Sequence, residues 1–201
     1  MPHYIGTLLF AVAASLLPLT PGPAHAQATA VAGGSPNHID LAIPVTASVA
    51  NRCSMTIGGD YTASDINAGF AHDFGIVLQC NVASRVAVAS ANGGLLAPVS
   101  APPPGYTKLA PYRVTLNLVG DTGVTAANAV CEAATLTGSA ASPCTFRGPA
   151  TPTQGLKLNG ASSGAAGSFM RVSAFAYAGP DTLIASTAYA DTLTITLSVS
   201  I

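Results

Sequence analysis

Two stretches of strict two-residue alternation constrain this fold more than any other feature of the chain. Over residues 193–201, Leu193, Ile195, Leu197, Val199 and Ile201 alternate with Thr194, Thr196, Ser198 and Ser200. A period of two places the five apolar side chains on one face of a β-strand and the hydroxyl side chains on the other. Over residues 39–49, Ile39, Leu41, Ile43, Val45, Ala47 and Val49 form a second apolar face. Pro44 lies on the opposite face and has no N–H for a ladder, which places that strand at an edge or makes it a late arrival in assembly. Shorter strands are expected at 74–80, 85–91, 112–119 and 169–177. Turn residues separate them: Gly93-Gly94, Pro102-Pro103-Pro104-Gly105, residues 120–123 and the Gly/Ser/Ala stretch 160–168. The reading is an all-β sandwich. The Ala-rich segment 125–134 is short and contains a cysteine, so a single helical turn or a loop is expected there.

Composition narrows the function. Only 7% of residues are charged and the net charge is −1, with no basic run to track a phosphate backbone, so nucleic acid is excluded as a partner. Beyond the leader there are two histidines, His38 and His72, and one glutamate, Glu132. No constellation for catalysis emerges, and neither a cofactor nor a small-molecule substrate is expected. Residues 160–164 match G-x-S-x-G around Ser162, but a nucleophile elbow needs a following helix and a later histidine, and the chain offers neither. His72 and Asp73 are neighbours on a strand and point to opposite faces. Asp121, Asp181 and Asp191 read as turn-capping residues rather than as a calcium site, and Tyr189 as a packing residue.

An apolar run at 5–19, broken by Pro18, Pro21 and Pro23 and followed by Ala24-His25-Ala26, has the form of a secretory signal with cleavage after Ala26, although no Lys or Arg precedes it. Export makes disulfides the expected state of Cys53, Cys80, Cys131 and Cys144. Of the three pairings open to four cysteines, Cys53–Cys80 with Cys131–Cys144 closes two local loops. No C-x-x-C or C-x-x-H spacing supports a metal site. Residues 27–37 are uncharged and carry little hydrophobic bulk, as a flexible arm does. The division expected is therefore a signal peptide at 1–26, an arm and N-terminal strand at 27–50, and one domain at 51–201. An apolar strand at each end, with nothing after the last to cover its flank, suits pairing between chains by strand addition.

The order and spacing of these pieces resemble the spore coat protein U domain family, which includes pilin subunits of the archaic (Csu-type) chaperone–usher pili. The resemblance rests on the alternating segment running into Cys53 (residues 43–53), on Ile76-Val-Leu-Gln-Cys80, on Arg85-Val-Ala-Val-Ala, on residues 111–118, and above all on Tyr189-Ala-Asp-Thr-Leu-Thr-Ile-Thr-Leu197. It implies an immunoglobulin-like, pilin-type sandwich lacking its last strand. A periplasmic chaperone would fill the gap first, and the N-terminal strand of a neighbouring pilin subunit would replace it as an outer-membrane usher secretes the fibre to the cell surface. By position, Ile39, Leu41, Ile43, Val45, Ala47 and Val49 would be the donor face. Leu193, Ile195, Leu197, Val199 and Ile201 would line the acceptor groove, and Cys53–Cys80 would be the family disulfide. The chain departs from the pattern at Thr187, where a glycine is common. Cys131/Cys144 and the Pro-rich loop 98–104 look like additions. The other reading is a self-complemented sandwich of the same family, a coat or periplasmic binding module whose N-terminal strand closes on its own domain.

Overall fold

The computed structural model describes residues 45–63, 65–138, 143–186 and 188–200. The leader, the arm, Ile39, Leu41, Ile43, Thr187 and Ile201 lie outside the described residues. The chain divides into two units, Met1–Ser48 and Val49–Ile201. Residues 45–48, the described part of the first unit, are exposed and form no strand.

The second unit is all-β. Its strands are β1 (Cys53–Ile57), β2 (Phe70–Cys80), β3 (Ser84–Ser90), β4 (Leu95–Leu96), β5 (Tyr106–Thr107), β6 (Leu109–Ala110), β7 (Arg113–Leu118), β8 (Ala127–Glu132), β9 (Leu156–Leu158), β10 (Ser162–Ser163), β11 (Phe169–Ala174), β12 (Thr182–Leu183) and β13 (Leu193–Val199). The larger sheet runs β1-β2-β11-β7-β8, with β10 also paired to β2, and every pairing in it is antiparallel. The second sheet is β13-β3-β9, also antiparallel. Two short ribbons, β4–β6 and β5–β12, complete the set.

One apolar core joins the two sheets, as in a β-sandwich. The larger sheet contributes Ile76 and Leu78 from β2, Met170 and Val172 from β11, and Val114, Leu116 and Leu118 from β7. Val86 and Val88 of β3 and Leu158 of β9 come from the second sheet. Alternation decides this: in β7, Val114, Leu116 and Leu118 are buried while Arg113, Thr115 and Asn117 between them stay half-buried. The run from Ile76 to Cys80 obeys the same rule, with Val77 and Gln79 outward and exposed.

The Ala-rich segment is a correction to the sequence reading. Residues 127–132 form edge strand β8, and a 3-10 turn follows only at Ala133–Leu136. Ala127, Ala129 and Cys131 stand opposite Leu118, Leu116 and Val114 of β7. Small side chains at alternate positions fit closely beside that apolar row, and the ladder overrides the helix preference of alanine. Strand β11 also ends earlier than expected, at Ala174, and Phe175 stands 76% exposed in the loop beyond it.

Both disulfides pair as the local-loop arrangement has it. Cys53 and Cys80 are direct register partners on β1 and β2, 4.2 Å apart at Cα. Cys131 on β8 bridges to Cys144 in the segment that carries the fully buried Phe146. Chain-entropy arguments give about 3.5 kcal/mol for the 27-residue separation and about 3 kcal/mol for the 13-residue one. Replacing Cys53 and Cys80 together by Ser is therefore expected to lower the urea midpoint at least as far as the same change at Cys131 and Cys144. The reverse order would show that loop length does not govern their contributions.

Candidate functional site

The predicted groove residues Leu193, Ile195, Leu197 and Val199 lie together on β13. Among the described residues β13 has one ladder neighbour, β3, with Leu193 opposite Ser90, Ile195 opposite Val88, Leu197 opposite Val86 and Val199 opposite Ser84. Val86 and Val88 are fully buried, whereas Leu193, Ile195, Leu197 and Val199 are only half-buried, although the first three pack against the core. Strand β1 runs close to β13 and is the edge of the other sheet. It adds the half-buried Met55 and the exposed Ile57. Two sheet edges thus lie side by side, each carrying apolar side chains that its own domain covers incompletely.

Of the predicted donor residues, Val45, Ala47 and Val49 are described. Val45 is 90% and Val49 is 83% exposed, Ala47 is exposed as well, and none of the three belongs to a strand. Just after them Asn81 takes hold of the chain. Its Nδ2 donates to the Ala50 carbonyl (2.9 Å), its Oδ1 accepts the Arg52 N–H (2.8 Å), and its own N–H donates to the Arg52 carbonyl (3.1 Å). This contact is invisible in the sequence, because nothing marks Asn81 as the partner of residues some thirty positions earlier.

The start of β13 is held by Asp191. Its Oδ2 accepts the Ser90 hydroxyl (2.6 Å) and the Tyr112 phenol (2.7 Å), and its Oδ1 accepts the Asn92 N–H (3.0 Å) and the Thr192 N–H (2.7 Å). Tyr112 leads into β7 of the larger sheet and Ser90 ends β3 of the second, so one carboxylate ties both sheets to the chain two residues before the edge strand begins at Leu193. Burial, with the Asp191 carboxylate beside it, pushes the Tyr112 phenol far above its ordinary value, which keeps it protonated as a donor. Ser90 Oγ also accepts the Gly93 N–H (2.7 Å), and Gly93 has φ +72°, in the left-handed region that favours glycine. The expected turn-capping role of Asp191 is thus part of a larger clasp. At the other end of β13, Ser200 N–H donates to the Ala83 carbonyl (2.8 Å).

The remaining polar residues are engaged locally. Ser162 is buried and donates to the Val119 carbonyl (3.0 Å), and Ser163 donates through both N–H and Oγ to Asp121. Those two bonds, the backbone one foremost, hold the Asp121 carboxyl below its usual value. Tyr189 donates to the Ile184 carbonyl (2.8 Å). His72 stacks on Tyr61 with ring centroids 4.2 Å apart, while Asp73 points away and takes a bidentate pair from Arg171 at 2.6 and 2.7 Å. The Arg171 hydrogen bond lowers the Asp73 pKa. A lowered folded-state value means the pair stabilises the fold above the ordinary carboxylate range and loses that contribution as the pH falls through the folded-state value. Both side chains are exposed, so Asp73→Asn is expected to change stability by less than about 1 kcal/mol at pH 7 and by less again at pH 3. Urea titrations at the two pH values check this.

A cleft of about 540 Å³, lined chiefly by Phe70, Leu109, Tyr112, Phe175 and Tyr177, contains none of the predicted donor or groove residues. Arg113 lies over the Phe175 ring at 4.6 Å and pairs with Glu132 at 3.3 Å. No family model, no curated protein and no solved structure matches the chain.

Proposed function

We propose that the chain is a structural subunit of a secreted surface fibre of the chaperone–usher type, that its domain is an immunoglobulin-like sandwich short of one strand, and that it polymerises by donor-strand exchange without catalysing a reaction. The observation that carries this reading is the β13 edge. A self-contained sandwich covers the inward face of every strand, yet among the described residues Leu193, Ile195, Leu197 and Val199 remain half-covered, with β3 on one side and β1, the edge of the larger sheet, close by. An added strand supplies main-chain hydrogen bonds to the open side of β13 and fills the space above these side chains. The same chain carries a matching apolar alternation over residues 39–49, of which Val45 and Val49 are exposed. Burying four or five Ile, Leu or Val side chains contributes on the order of 10 kcal/mol gross, enough for a lasting joint.

On this reading the donor face is Ile39, Leu41, Ile43, Val45, Ala47 and Val49, and the acceptor groove is Leu193, Ile195, Leu197, Val199 and Ile201. The partners are a periplasmic chaperone, an outer-membrane usher and neighbouring copies or related subunits. The test compares residues 27–201, expressed in a periplasm without a chaperone, with a chain lacking 27–50. Polymerisation or degradation of the first, together with rescue of the second by a peptide spanning 37–51, supports strand exchange. A stable monomer of the first that ignores the peptide overturns it in favour of a self-complemented module.

A further inference from the structure

Resting on the fibre reading, we propose that Asn81 is the residue that fixes where the donated strand ends and the domain begins, so that successive copies in the fibre abut without a flexible linker. The last donor residue is Val49, and the first residue that Asn81 grips is Ala50, its immediate neighbour. One Cα–Cα step is about 3.8 Å, which leaves no slack between a strand held in one copy and the domain of the next. The grip is built in two layers. The β1–β2 ladder runs one pair beyond Cys53–Cys80, through the Asn81 N–H and the Arg52 carbonyl. Where β2 then turns toward β3, the Asn81 side chain continues the ladder, its amide spanning Ala50 and Arg52. The Cys53–Cys80 bridge next to it holds the two strands together while the side chain does this.

An asparagine is suited to the task because it offers a donor and an acceptor in one plane, as a peptide group does. The side chain lies at the surface, so substituting it leaves the core and both disulfides untouched. The surface that meets the next copy is therefore the end of the domain at the β2–β3 connection, residues 81–83, set against the mouth of the neighbour's groove.

The experiment measures the bend between successive subunits in electron micrographs of fibres assembled from the full mature chain. Wild type is compared with Asn81→Ala, with Asn81→Asp, and with a chain carrying Gly-Ser inserted between Val49 and Ala50. A narrow distribution in wild type, broadened to about the width of the insertion chain by Asn81→Ala, supports the inference. Asn81→Asp retains the acceptor for Arg52 and loses the donor for Ala50, so an intermediate width is expected. Hydrogen exchange of the same samples reads the grip directly: the Arg52 amide is expected to exchange roughly tenfold faster in Asn81→Ala and to stay protected in Asn81→Asp. Asn81→Ala fibres as stiff as wild type, or an Arg52 amide that exchanges equally fast in all chains, overturn the inference while strand exchange stands. A wild-type chain that forms no fibres, even when its Arg52 amide is protected by Asn81, overturns the fibre reading and the abutment with it.

Discussion

Replacing Ile195 by Asp is expected to weaken binding of a donor peptide spanning residues 37–51 by about a hundredfold or more, whereas Thr194→Asp leaves it nearly unchanged. Ile195 faces inward at the middle of β13, opposite the fully buried Val88 and half-covered by its own domain. A strand laid beside it would seal that position from water. Desolvating a carboxylate there without a partner costs several kcal/mol, and each 1.4 kcal/mol is a factor of ten in affinity. Thr194 points outward and is exposed, so a charge at that position stays in water and serves as the control for the added charge, while circular dichroism of both variants checks that each is folded. Calorimetry on the chain lacking 27–50 gives the comparison. Equal losses for both variants would mean that the peptide does not cover the inward face of β13, and the groove assignment would fail.

Asp191→Ala carries the largest expected effect on stability, a loss of roughly 3–5 kcal/mol in urea denaturation. The substitution removes an acceptor shared by four donors at once. Two of those donors, on Ser90 and Tyr112, belong to residues only 6% and 3% exposed, so water does not replace the lost partner. Tyr112→Phe removes one donor and leaves the carboxylate its other three, and it is expected to cost about 1 kcal/mol. Asp191→Asn should fall between the two, because an amide retains one oxygen. If Asp191→Ala unfolded within 1 kcal/mol of wild type, the clasp would be an incidental contact rather than the fastening of β13 to both sheets.

What could be read from the chain, and what could not, divides along a physical line. Strands with long apolar alternation, such as β7 and β13, announced themselves, because burial on one face of a sheet writes a period of two into the sequence. Edge strand β8 did not, since its inward residues are Ala127, Ala129 and Cys131, too small to mark a face by hydropathy. Strand β1 also escaped, because it is only the five residues from Cys53 to Ile57, closed off by the two glycines that follow. The residues of the candidate groove were legible from alternation, but their incomplete cover depends on which neighbours β13 has in space. Contacts made by single polar side chains across long separations, Asn81 to Ala50 and Tyr112 to Asp191, leave no periodic trace. Asp191 itself was legible as a capping residue, but its partners, Ser90 at the end of β3 and Tyr112 just before β7, were not.

If the chain assembles into the proposed fibre, the bridge between Cys53 and Cys80 acquires a mechanical meaning under tension. A pull transmitted through the N-terminal strand enters the domain at Ala50 and reaches β1 at its first residue. An antiparallel pair loaded from one end peels apart one hydrogen bond after another, the least resistant way to break a sheet. Behind the hydrogen bonds of Asn81 to Ala50 and Arg52, the next pair in the path of that peel is covalent, so the load would pass into β2, which is flanked by β1 and β11 and rooted in the core. On the proposed fibre reading, the domain would resist being unzipped from its own tether, and rupture under load would shift to the joint between subunits.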